Sequence, residues 1–161
     1  MIRALTEPSI EIKRFRANPW AAQRTFETPK KELQRFVKTF LAPFSLERAV
    51  LETAQVVFEP DNLLKLADKY SIRVHNQWEL KLEAVELFSV SELLEAALGD
   101  CVDFAFVLAP AAFAIYADHD QYITFYAPDE PPLAAVSSSL LAAGFVSEPQ
   151  YIRPSHGNIW R

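Results

Sequence analysis

From Asp103 to Ala127 the chain reads DFAFVLAPAAFAIYADHDQYITFYA, a ribbon that constrains the fold more than any other stretch. Three apolar runs of strand length are divided by Pro110 and by a polar group centred on Asp118-His119-Asp120. The first run reads as a buried strand, and Phe113 to Ala127 as a hairpin. A loop of two or four residues centred between His119 and Asp120 pairs Ala117 with Tyr122, Tyr116 with Ile123, Ile115 with Thr124, Ala114 with Phe125 and Phe113 with Tyr126. Side chains alternate across a strand. Ala114, Tyr116, Ile123 and Phe125 then share one face, and Phe113, Ile115, Ala117, Tyr122, Thr124 and Tyr126 the other. Neither face is polar, so both need covering, either by the chain's own helices or by a partner. Tyrosine offers a large apolar area with a polar tip, so Tyr122, Thr124, Tyr126 and Phe113 are the candidate partner-binding residues.

The hairpin tip has a second reading. Asp118, His119 and Asp120 are candidate metal ligands, since two carboxylates could offer oxygens to a hard cation. A further ligand would come from His75, His156, Asp100 or Asp103. Asp and His are equally at home in a tight turn, where Asp bonds neighbouring backbone N–H groups, and the turn reading is preferred. No cofactor is expected, because three glycines among 161 residues leave no phosphate-cradling loop, GxxxxGK[ST] or GxGxxG.

Around the ribbon the pattern predicts an α+β fold: N-terminal helices, then a mostly antiparallel sheet in the order β-α-β-β-β-α-β with helices packed on it. Residues 1–161 read as one domain, divided into a basic arm (1–27), a helical part (28–70), an α/β sheet part (72–152) and a tail (153–161). The arm is expected to be extended, with a short strand at Ile10 to Phe15. A helix is capped by Thr28, with Pro29 at its first position, and buries Leu33, Phe36, Val37, Phe40 and Leu41. Ser45 caps a second helix carrying Leu46, Ala49, Val50, Thr53, Ala54 and Val57, and a third runs from Asp61 to Tyr70. WELKLEA alternates as a half-buried strand, with Trp78, Leu80, Leu82 and Ala84 inward. Ser89 and Glu92 match a capping box with Phe88 as its staple, and that helix ends near Gly99. A last helix follows Pro131-Pro132 and closes at Gly144, and a final strand covers Phe145 to Ile152.

Charge is unevenly distributed. Residues 1–40 hold nine Lys or Arg and four Glu, whereas the remainder holds seven basic and seventeen acidic residues, within a net charge of −5. In the arm, Lys13, Arg14, Arg16 and Arg24 interleave with Phe15, Trp20 and Phe26, the composition of a single-strand nucleic-acid grip. A sequence pI of about 5.2 argues against general nucleic-acid binding. Cys101 is the only cysteine, which fits a reducing, cytoplasmic compartment. The flanking Asp100 and Asp103 would raise the pKa of its thiol, the wrong direction for a nucleophile. MIRALTEPSI lacks the apolar core of a signal peptide, and no membrane association is expected.

The expected function is therefore a non-enzymatic module that binds another protein through the Tyr-rich sheet face, as an inhibitor or toxin-immunity-type protein would. Two alternatives are a metal-dependent hydrolase built on Asp118, His119 and Asp120, and a nucleic-acid-associated protein using the basic arm.

Overall fold

A computed structural model describes residues 1–18, 20, 22–45, 48–109, 112–119 and 121–153. The fold is α+β. The strands are β1 (Ile2–Ala4), β2 (Ala22–Glu27), β3 (Arg48–Gln55), β4 (Lys81–Val85), β5 (Asp103–Ala109), β6 (Phe113–Ala117) and β7 (Tyr122–Ala127). The helices are α1 (Ile10–Ala17), α2 (Leu33–Leu41), α3 (Asp61–Lys69), α4 (Leu87–Gly99) and α5 (Glu130–Ala142). All seven strands join one sheet in the order β1-β4-β3-β5-β6-β7-β2, and neighbours pair antiparallel throughout. No helix among the described residues is long and apolar enough to cross a membrane.

Two apolar layers sandwich the sheet, and β5 shows why its sequence is apolar without alternation. Phe104, Phe106 and Leu108 enter the larger core with α2, α3, α4 and α5. Ala105 and Val107 enter a smaller one beneath Ile12 and Phe15 of α1. A strand buried on both faces has no polar phase to display. At the centre of the larger core, the Phe125 ring lies 6.0 Å from Phe26, 6.2 Å from Phe36, 5.1 Å from Phe40 and 5.8 Å from Phe113.

The hairpin forms where expected but one residue out of the expected register. Ala117 faces Ile123, Tyr116 faces Thr124, Ile115 faces Phe125 and Ala114 faces Tyr126. The cause is a loop with an odd residue count: Asp118 N donates to Tyr122 O at 3.2 Å, and Gln121 has φ 85°. A loop closing on a left-handed residue is the usual three-residue hairpin solution. A one-residue slip exchanges the faces of one strand against the other. Phe113, Ile115, Ala117, Ile123 and Phe125 therefore share the helix-covered face, whereas Ala114, Tyr116 and Tyr126 lie on the α1 side.

The N-terminal half departs further from expectation. The supposed extended arm contributes β1, α1 and β2, so it is part of the sheet. Ser9 caps α1 by accepting from Ile12 N at 3.1 Å, and Ile12 and Phe15, three apart, form its buried face. The second expected helix is instead β3, an interior strand of the sheet between β4 and β5. Its residues satisfy either period, but as a strand they supply hydrogen-bond partners to both β4 and β5, which no helix could do. Position in the sheet overrides local propensity here. The final strand shrinks to an isolated bridge between Phe26 and Ser147. Trp78 lies outside β4 and is exposed.

Helix α4 begins at Leu87, ahead of the expected capping box. Ser89 is buried within it and accepts from the Met1 amino nitrogen at 2.5 Å. Glu92 turns to Tyr70 Oη at 2.5 Å and to Lys69. At the other end of α4, Asp100 reaches the start of α3 and accepts from Asn62 N and Leu63 N, both at 2.8 Å. A carboxylate there satisfies donors that a helix start leaves open.

Two stability measurements test this architecture. Phe125→Ala is expected to destabilise by about 3–5 kcal/mol, the usual cost of emptying a packed aromatic site. Asp100→Ala is expected to cost about 1–2 kcal/mol through the lost cap. Both are read from urea denaturation midpoints at unchanged slope. A Phe125→Ala loss below about 1 kcal/mol would contradict the packing described.

Candidate functional site

The four residues expected to form one binding face do not share a free surface. Phe113 is on the helix side, fully buried, with its ring 4.7 Å from Phe44. Tyr126 is fully buried beneath α1, edge-on to Phe15 at 5.2 Å. Thr124 is also fully buried. Only Tyr122 reaches the surface, and its ring stacks on Tyr151 at 4.5 Å. The physical reason is the register: the slip separates Phe113 from the tyrosines, and α1 together with the segment after α5 covers what remains.

That segment brings in a residue the sequence gave no reason to single out. Arg153 is buried and lies against the α1-side face of the hairpin. Its Nη2 is 2.8 Å from Asp118 Oδ2, and its Nε donates to Thr124 Oγ1 at 2.8 Å. Nη2 also donates to the Tyr122 carbonyl at 3.4 Å. The guanidinium carbon lies 4.7 Å from the Tyr116 ring centre and 5.1 Å from that of Tyr151. Thr124 Oγ1 is also 2.8 Å from Thr25 Oγ1, and Tyr151 Oη donates to Asp118 Oδ2 at 3.1 Å. A lone arginine late in an acidic half carries no local signal of this. Only the chain's return across the sheet creates the contact.

The hairpin-tip residues are turned toward these internal partners. Asp118 holds Arg153 and Tyr151, and its Oδ1 accepts from Tyr122 N at 3.3 Å. His119 Nδ1 is 2.7 Å from Asp103 Oδ1, which also accepts from His119 N at 2.8 Å. Asp120 and His156 lie outside the described residues. Among the described residues, no group of three or more His, Cys, Asp or Glu is arranged to hold a metal ion. His75 is in the segment before β4, lining a cleft with Ala4, Leu5 and Lys81. Cys101 takes φ 54° and borders, with His119, a hollow of about 10 Å³, room for no more than about one water.

Part of the basic segment is drawn into the body, while Lys13 and Arg14 are exposed. Arg16 pairs with Glu52 at 2.6 Å and Arg24 with Glu130 at 2.6 Å. Phe15 and Phe26 are buried, and Trp20 tilts onto Phe15 at 5.0 Å. The aromatic rings thus serve packing within the fold.

A different surface is open. The Met1 amino nitrogen donates to Val85 O at 3.2 Å and to Ser89 Oγ, which sets Met1 beside the first turn of α4. Met1, Leu87 and Phe88 are exposed to 61%, 52% and 68%. Glu86, just before them, has φ 77° and ψ 148°, a region that normally requires glycine and is tolerated where surroundings enforce it. Beside this patch runs β1, the edge of the sheet. Met1 O and Leu5 N bond toward β4. By the alternation of an antiparallel ladder, the N–H and C=O groups of Ile2 and Ala4 point outward.

These features define an α+β protein with a covered tyrosine face and an open apolar edge. Compared with known protein families, curated proteins and solved structures, the chain matches none.

Burial raises the phenol pKa values of Tyr116 and Tyr126 well above the ordinary tyrosine range. The Asp103 carboxylate adds to the rise at Tyr116, and the Arg153 charge opposes it at both. Each folded pKa exceeds the unfolded one. Their stabilisation is therefore complete below the unfolded value of about 10 and is lost as pH climbs toward the folded value. In an ultraviolet titration, two of the five tyrosines should ionise only as the protein unfolds in alkali. Uniform ionisation of all tyrosines near pH about 10 without unfolding would contradict the burial.

Proposed function

We propose that this chain is a non-enzymatic protein-binding module whose contact surface is the Met1, Leu87 and Phe88 patch with the adjoining edge of β1. The exposed patch carries the reading: three large apolar side chains gathered at one sheet edge. Large exposed apolar residues concentrated beside a free sheet edge are a mark of association sites. The outward groups of Ile2 and Ala4 suit an extended strand of a partner, which would take its backbone bonds from β1 and lay alternate apolar side chains on the patch. Lys69, with its ammonium 5.6 Å from the Phe88 ring, gives that surface a polar margin, as interfaces commonly have.

Ala4→Pro separates recognition from folding. It removes an N–H directed away from β4, and proline is tolerated at such edge positions, so stability should change by less than about 1 kcal/mol. Strand addition should be lost. With a photo-crosslinking amino acid at position 88, the cells that make the protein should yield an adduct of one discrete mass. It should disappear with Ala4→Pro and be absent when the crosslinker replaces Lys13 on α1. No adduct at position 88, or one that survives Ala4→Pro, would overturn the reading.

A further inference from the structure

The Arg153 pocket is assembled without the segment that fills it. Asp118 is positioned by Tyr122 N at 3.3 Å, Thr124 by Thr25 at 2.8 Å, and Tyr116 Oη donates to Asp103 Oδ2 at 3.4 Å. All of these residues belong to paired strands or the β6–β7 turn. They present one carboxylate, one hydroxyl, one backbone carbonyl and an aromatic face to a single point. That combination suits a flat, delocalised cation with several directed donors. It suits a compact ammonium less well.

The occupant, by contrast, arrives on a strap without regular secondary structure. After the Phe26–Ser147 bridge, residues 149–153 belong to no helix or strand. Ile152, next to the buried arginine, is 72% exposed. The backbone of Arg153 is held by a side chain: its N donates to Gln23 Oε1 at 2.9 Å and its O accepts from Gln23 Nε2 at 3.0 Å. Alongside the strap runs a groove of about 470 Å³ lined by Gln23, Thr25, Glu148, Tyr151 and Ile152 among others. A segment outside the helices and paired strands, held to the body mainly through side chains such as those of Gln23, Asp118 and Thr124, is of the kind that opens locally before the core does.

We infer that the α1-side face of the β6–β7 hairpin is a guanidinium-recognition site, filled in the resting chain by Arg153 and able to take an arginine side chain of another polypeptide when residues 149–153 lift. The site is at the opposite edge of the sheet from the β1 surface, and its fate in experiment is independent of that reading.

The test compares wild type with Arg153→Ala, using ethylguanidinium as probe and ethylammonium as control, both at millimolar concentration. Ethylguanidinium should raise the thermal midpoint of Arg153→Ala saturably. Its affinity should be about tenfold or more above that for wild type, and ethylammonium should have little effect. Adding Asp118→Asn to Arg153→Ala should abolish the response. If Arg153→Ala is unfolded in buffer alone, ethylguanidinium must restore its native circular dichroism. Equal responses in wild type and variant, equal responses to both cations, a response that survives Asp118→Asn, or no rescue of an unfolded variant would each overturn the inference.

Discussion

The arrangement on the α1 side of the sheet depends on one registration: Tyr116 lies opposite Thr124 and not opposite Ile123. With the odd loop in place, the hairpin sorts its residues by chemistry. Phe113, Ile115, Ile123 and Phe125 go under four helices, and the hydroxyl-bearing residues go to the other side. Shifted by one, the same strands would put hydroxyls among the phenylalanines and leave Ile123 and Phe125 beneath the strap. Buried hydroxyls require partners, and Thr25 and Arg153 supply those of Thr124. Loop length thus sets the register, and the register determines the polar lining that receives Arg153.

How much of this was legible follows from which signals are local. The helices α3 and α5 and the strands β5, β6 and β7 carry their evidence within a few residues, as apolar spacing or a closing Gly144 with φ 89°, and they lie where the sequence puts them. Helix α2 buries the expected Phe36, Val37, Phe40 and Leu41 but starts at Leu33, past the expected Thr28 cap. β3 was misread because RAVLETAQ fits both periods, and only the unsatisfied edges of β4 and β5 choose between them. α1 did leave a signal, Ser9 followed by Ile12 and Phe15, but the neighbouring prolines suggested an extended arm. Ser89 and Glu92 show the opposite failure. Their spacing matches a cap, yet Met1 and Tyr70 compete successfully for both side chains. At the candidate site, Asp118 and His119 were identifiable as notable but not as internal ligands, because Arg153 and Asp103 reach them only through the fold.

Part of the charge asymmetry is met within the molecule in the same way. Arg3 pairs with Glu83, Arg16 with Glu52 and Arg24 with Glu130, each joining the basic front to the acidic body. Arg48 joins Glu11 and Glu83. Exposed pairs of this kind add little individually. Glu52 and Glu83 are buried, however, and a buried carboxylate without its arginine would be costly. These pairs hold the N-terminal elements in register with the sheet they complete.

An antiparallel sheet that does not close has two edges, and this molecule treats them differently. At β2, Glu27 N bonds to Val146 O at 3.0 Å and Glu148 N to Thr25 O at 2.8 Å. Gln23 then uses its side-chain amide on Arg153, so the C-terminal segment closes that edge. At β1 no described segment lies over the outward groups of Ile2 and Ala4. Proteins ordinarily blunt such edges by shortness, charge or cover. β1 is three residues long and carries Arg3, which limits indiscriminate pairing, yet Met1, Leu87 and Phe88 stand exposed next to it. An edge protected against aggregation alone would not need that apolar flank. On the proposed reading, a short, charged strand beside an apolar flank would admit only a partner that matches both, and that selectivity would separate a recognition surface from an unguarded edge.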